Sequence, residues 1–139
     1  MKESANTELS EILNQFPGMI FWTEDGGFQA FLDIKNVIDV TGYTASEINN
    51  LKYGWRSLIY SEDLHLHSKM LDEFEKNPNQ NLLELEYRIT RKDENIIHLS
   101  EKIQVIRDSD GNIIKRFGMI TNVTNYKKEL ERRHLQFFG

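Results

Sequence analysis

Residues 82–123 read LLELEYRITRKDENIIHLSEKIQVIRDSDGNIIKRFGMITNV, and this stretch decides the fold. In its first part Leu83, Leu85, Tyr87 and Ile89 alternate with Glu84, Glu86, Arg88 and Thr90. Successive side chains of a strand point to opposite faces, so the pattern describes a strand buried on one side and wet on the other. Arg91 to Asn95 is a polar turn, and a second strand runs from Ile96 to about Ile106. Asp108-Ser109-Asp110-Gly111-Asn112 has hairpin-turn chemistry, and a third strand spans Ile113 to Val123. Strands joined by such short turns form an antiparallel meander whose apolar face needs a cover.

The residues before position 82 supply that cover. Leu9, Ile12, Leu13 and Phe16 fall at i, i+3, i+4 and i+7, which predicts an amphipathic helix over 7–16, ended by Pro17 and Gly18. Residues 19–24 (MIFWTE) and 28–34 (FQAFLDI) read as a β-hairpin around Asp25-Gly26-Gly27. In GYTASEI, Thr44 and Glu47 have the spacing of a capping box, and Tyr43 and Ile48 that of a hydrophobic staple, so a helix starts there. Asn49, Asn50 and Gly54 keep it short, and a second helical piece is expected around Trp55 to Ile59. Ser61 reads as the N-cap of a longer helix, with Glu62 and Asp63 where the helix dipole favours negative charge. Leu64, His67, Leu71 and Phe74 form its inward stripe, and Asn77-Pro78-Asn79 breaks it.

The expected class is α+β: a five-stranded antiparallel sheet, short helices and one longer helix on one face, and flanking N- and C-terminal helices. The expected organisation is a flanking helix over 1–17, a core over 18–123, and a helical linker over 124–139 leading to an output domain outside the chain. A length of 139 residues with 39% hydrophobic residues suffices for one core and one domain. No window reaches the roughly 18 consecutive apolar residues of a membrane span, so the expectation is a cytoplasmic segment whose parent protein is either soluble or anchored elsewhere. The absence of cysteine excludes disulfides, thiolate metal sites and cysteine nucleophiles. A net charge of -5 argues against a nucleic-acid partner. Nor is there a glycine-rich phosphate loop, a metal-ligand spacing or a nucleophilic constellation, so no enzyme is expected.

Several segments resemble the PAS domain family, in order and spacing, over roughly residues 8–127. GYTASEI is similar to its Gly-Tyr-Ser-x-Glu-Glu-Leu stretch, and WRSLIYSEDL to its Trp-x-x-Leu-Ile-His-Pro-Glu-Asp segment. EYRITRKDENIIHLSEKIQVIRDSDGNIIKRFGMITNVT is similar to the C-terminal (PAC) part, where Tyr-Arg, Arg-Lys-Asp-Gly, Asp-x-x-Gly and Gly-x-x-x-Asp-Ile-Thr follow one another. The departures are Tyr60 and Ser61 for His-Pro, Glu94 at a turn glycine, His98 where Trp is frequent, and Asn122 for the Asp of Asp-Ile-Thr. The resemblance implies a sensory, signal-transducing module with an interior pocket that holds haem, flavin or a small molecule in some members. It also implies homodimerisation and an output domain in cis, such as a histidine kinase or a cyclic-di-nucleotide enzyme.

Against that background the cofactor stays unassigned. Cysteinyl-flavin photochemistry is excluded, because LKYGWRSL stands where the reactive-cysteine motif would be. Ile89, Leu99 and Ile120 align with the positions that read a flavin's polar edge, and aliphatic side chains cannot do so. Haem is disfavoured: His65 and His67 point roughly 200° apart on a helix, and the family's ligand position falls nearer Ser68. His98 and His134 are isolated.

Candidate pocket residues are Trp55, Met70, Phe74, Tyr87, Ile89, Leu99, Glu101, Gly118 and Ile120. Glu101 shares a parity with Ile97, Leu99, Ile103 and Val105, so either it faces the core or a bulge turns it to water. Facing inward, it needs a partner, for which Arg56, Lys69 or a cationic ligand would serve. On the other face, Phe117, Met119 and Val123 form an apolar patch. The helix carrying Leu9, Ile12, Leu13 and Phe16 would cover it, across a two-fold axis or within its own chain. A ligand-free dimerisation module, and a small α+β enzyme using Glu101 or His98 as base, are the alternative functions.

Signal exit is expected at Asn122, Val123 and Thr124, where the sheet passes without a linker into a helix capped by Thr124 or Asn125. Val123, Tyr126, Leu130 and Phe137 form a short seam on it, interrupted by Arg133, and Glu129 can pair with Arg133.

Overall fold

The computed structural model describes residues 8, 11–12, 15, 18–23, 29–31 and 35–138. Leu9, Leu13 and Phe16, the Asp25-Gly26-Gly27 turn, and the predicted strand residues Glu24, Phe28 and 32–34 lie outside the described residues.

The strands are β1 (Gly18–Thr23), β2 (Gln29–Phe31), β3 (Leu82–Thr90), β4 (Ile96–Arg107) and β5 (Ile113–Asn122). The helices are α1 (Lys35–Thr41), α2 (Ala45–Asn49), a 3-10 turn (Gly54–Ser57), α3 (Ser61–Lys76) and α4 (Thr124–Phe138). The strands form one sheet in the order β2-β1-β5-β4-β3, antiparallel at every junction. The meander therefore lies on one side of β5, and the N-terminal hairpin joins its other edge through pairs such as Phe21 with Gly118.

One face of the sheet and the helices enclose the core. Met19, Phe21 and Phe31 pack there with Leu83, Leu85, Ile89, Leu99, Ile103 and Ile120, under Val37, Ile48, Trp55 and Phe74 from the helical layer. Each such side chain contributes about 1.5–3 kcal/mol relative to full exposure. Gly118 shows how closely the strands beside β5 crowd it: a Cβ there would run into the Lys102 carbonyl oxygen of β4 and lie 2.7 Å from the Phe21 ring of β1.

Local signals explain most element boundaries. Thr44 accepts from the Glu47 N–H (3.1 Å) while Glu47 Oε1 accepts from the Thr44 N–H (3.0 Å), a complete capping box. The Arg107 guanidinium donates to the carbonyls of Phe74, Glu75 and Gln80, satisfying the open C-terminal end of α3. Helix α1, a segment to which the sequence reading assigned no element, arises in a branched, strand-like run because Val37, Val40 and Thr41 fall on one buried stripe, with Thr41 Oγ1 donating to the Val37 carbonyl. Two boundaries depart from the sequence expectation. The piece expected at 55–59 is a single 3-10 turn, after which Ile59 bridges to Ile89. Ser61 is the first residue of α3 rather than its cap; Tyr60 holds the cap position without a side-chain cap bond, and its N–H, donated to the Arg88 carbonyl (2.9 Å), fixes the chain to β3 there.

Candidate functional site

The site grows from strand alternation. Because β4 runs without a bulge until Ile106, Glu101 keeps the inward parity of its apolar neighbours and is 2% exposed, between Leu85 on β3 and Ile120 on β5. Its partner is neither Arg56, which donates to Ser68 at the surface, nor the exposed Lys69. Tyr87 Oη donates to Glu101 Oε1 at 2.5 Å and itself accepts from Trp55 Nε1–H at 2.8 Å. From α3, His67 brings Nε2 to 3.9 Å from the same carboxylate oxygen, near enough to feel its charge but too far for a hydrogen bond. The imidazole meets the Tyr87 ring edge-on at a centroid distance of 4.7 Å, and both its buried ring nitrogens lack hydrogen-bond partners. Burial, then the Glu101 charge, pushes the Tyr87 phenol well above its usual range, so it stays a neutral donor.

A groove of about 260 Å³ opens beside this cluster. It runs between α3 (Glu62, Asp63, Leu66, His67, Met70) and β3 (Leu85, Glu86, Tyr87, Arg88), reaching His98 and Lys127. Its rim is pinned by Asp63, which accepts from Arg88 Nη2 (2.7 Å), Nε (2.9 Å) and backbone N–H (2.8 Å). Lys127 of α4 pairs with Glu86 at 3.0 Å. The Arg88 guanidinium holds the Asp63 carboxyl below the ordinary aspartate range.

The other sequence candidates distribute as follows. Trp55, Phe74, Ile89, Leu99 and Ile120 are buried among protein atoms, while Met70 is half-buried on the groove. The space before Gly118 is filled by Phe21. Ile89, Leu99 and Ile120 offer no hydrogen-bonding side chain to a flavin. His65 is exposed, and the His98 N–H donates to Thr124 Oγ1. Phe117 and Met119 lie on the opposite face beside Leu82, Lys102 and Gln104, and Ile12 is exposed. Among the described residues, no group of three or more His, Cys, Asp or Glu is placed to hold a metal.

At the exit, the Val123 N–H donates to the His98 carbonyl, continuing the sheet one residue past β5. Neither Thr124 nor Asn125 caps α4: Asn122 Oδ1 accepts from both the Thr124 N–H (3.0 Å) and Thr124 Oγ1–H (2.7 Å). Tyr126 and Leu130 are exposed on α4, Glu129 pairs with Arg133 at 3.4 Å, and the Phe137 side chain lies outside the described residues.

Sequence reasoning placed Trp55 and Tyr87 on the pocket without joining them to Glu101, and left His67 out of it. The place of His67 on the inward stripe of α3 and the inward parity of Glu101 were both legible; that α3 crosses the sheet with the two opposed was not.

A five-stranded antiparallel sheet in the order β2-β1-β5-β4-β3 with helices packed on one face is an α+β architecture. The chain belongs to the PAS-fold family, whose model matches residues 31–120. It is similar in structure to a sensory box histidine kinase/response regulator from Burkholderia thailandensis E264, with TM-score 0.68, 15% identity, and 94% of this chain and 93% of that one covered. It is also similar to the PAS domain of a Colwellia psychrerythraea protein, with TM-score 0.63, 18% identity, and coverage of 87% and 98%. A third likeness is to the N-terminal domain of a diguanylate cyclase with PAS/PAC sensor from Marinobacter aquaeolei, with TM-score 0.61, 14% identity, and coverage of 79% and 98%. No curated protein matches the sequence.

Proposed function

We propose that this PAS domain is a sensory module that passes the state of its Trp55–Tyr87–Glu101–His67 cluster through α4 to an output domain in cis, of the histidine-kinase or cyclic-di-nucleotide class. The observation that carries this reading is the junction. The His98 backbone of β4 bonds both Val123 and Thr124, so α4 is tied to the strand that bears Glu101, with no slack residue between. A cytoplasmic location and a non-catalytic role for this chain accord with it, and the burial of Glu101 opposes the alternative of a base working on substrate.

The test is a chimera in which α4 continues in register into a histidine-kinase core. Tyr87→Phe is expected to change autophosphorylation, and inserting two glycines after Thr124 to erase that dependence while leaving thermal unfolding of the domain unchanged. Equal sensitivity to Tyr87→Phe with and without the insertion would reject the coupling.

A homodimer is the second reading, favoured by the outer sheet face, where Leu82 (44%) and Phe117 (36%) stay exposed. Sedimentation of the chain and of its Phe117→Ser variant separates a dimer through this face from a monomer.

A further inference from the structure

We propose that the groove between α3 and β3 binds a small organic cation with an apolar body, of the aralkylamine type, recognised by His67 with Glu101 behind it. This rests on the sensory reading and adds the chemical class of the signal.

His67 lines the groove, is 5% exposed, and has no hydrogen-bond partner on either ring nitrogen. Buried polar groups are paired as a rule, and this imidazole beside an open groove leaves both its nitrogens, one donor and one acceptor in the neutral ring, without partners; the charge around the groove selects which kind of ligand they meet. Behind it lies a carboxylate whose hydrogen-bond donor, among the described residues, is Tyr87 alone. Nearby permanent cations are already engaged: Arg88 with Asp63 and Glu62, Lys127 with Glu86, and Arg56 with Ser68. Around the groove the carboxylates of Glu62, Asp63 and Glu86 outnumber the cations Arg88 and Lys127, and Glu101 adds a further negative charge inside. An anion entering would meet a net negative field, whereas an ammonium would donate to His67 and face Glu101. Leu66, Met70 and Leu85 supply an apolar wall, and about 260 Å³ suits a single-ring molecule.

The full chain would be titrated with phenethylamine, phenylacetate and 2-phenylethanol, which share the ring and differ in the polar head. Calorimetry is expected to show saturable amine binding about tenfold or more tighter than either competitor. In ¹H–¹⁵N NMR, amine-induced shifts should concentrate at Leu66–Met70 and Tyr87. Glu101→Gln, which keeps an acceptor for Tyr87, should weaken the amine about tenfold. If that variant does not fold, the wild-type competition and shift map decide alone. Preference for phenylacetate, equal binding of the alcohol, no amine binding, shifts elsewhere, or undiminished affinity in a folded Glu101→Gln variant would each overturn the proposal. Absence of amine binding with Tyr87-dependent kinase control intact removes the ligand class and leaves the sensory reading standing. Amine binding without such control does the reverse.

Discussion

Glu94 stands in the turn between β3 and β4 with φ 72°, the one non-glycine residue with positive φ among those described. Its N–H donates to the Arg91 carbonyl at 2.9 Å, so the tight turn forces the left-handed backbone that glycine supplies in the related motif. A side chain there crowds the backbone by about 1–2 kcal/mol, part of which glycine returns through its greater unfolded-state entropy. Glu94→Gly is expected to stabilise the domain by about 1 kcal/mol, read as a higher urea midpoint at unchanged slope; a lower midpoint would refute the strain. Glu101 teaches the opposite lesson. Its inward direction was legible from alternation, but its partners came from β3, α3 and the 3-10 turn, which no spacing in the sequence connects.

The junction between β5 and α4 shows how an element boundary can be set by a residue outside the helix. Where the related motif has Asp, the uncharged Asn122 accepts through Oδ1 from both the N–H and the hydroxyl of Thr124. Asn122→Ala is expected to cost about 1 kcal/mol and to fray the first turn of α4, seen as faster amide exchange at Thr124 and Lys127. Asn122→Asp should preserve protection there; loss of protection in both variants would show that the amide's donor, rather than Oδ1, is essential. Thr44 and Ser61 make the same contrast within the helical layer. The capping box is closed by neighbours three residues apart, so sequence sufficed. At Ser61 a tertiary bond from Tyr60 to Arg88 placed the helix start one residue away from the local expectation.

At the scale of the molecule, α3 is fastened to the sheet by Asp63 and Arg88 at one end and by Arg107 at the other. The folded-state pKa of Asp63 lies below its ordinary 3.8, so the pair stabilises the fold above that pH, and the contribution is lost as pH falls through the folded value. Both groups remain partly wet, which holds the effect to about 1 kcal/mol. Urea midpoints measured between about pH 7 and pH 2.5 should therefore fall further for the wild type than for Asp63→Asn; parallel curves would mean that the pair does not titrate with folding.

The sequence by itself determined the strands of the meander, the inward face of each of those three strands, the capped helix and the PAS resemblance, because these depend on period and on bonds between near neighbours. Only the tertiary structure decided that Phe21 fills the space before Gly118, that His67 opposes Glu101, and that Asn122 rather than Thr124 caps α4. Those outcomes depend on how α3 crosses the sheet and where β5 ends, and such contacts join residues whose separation along the chain carries no periodic signal.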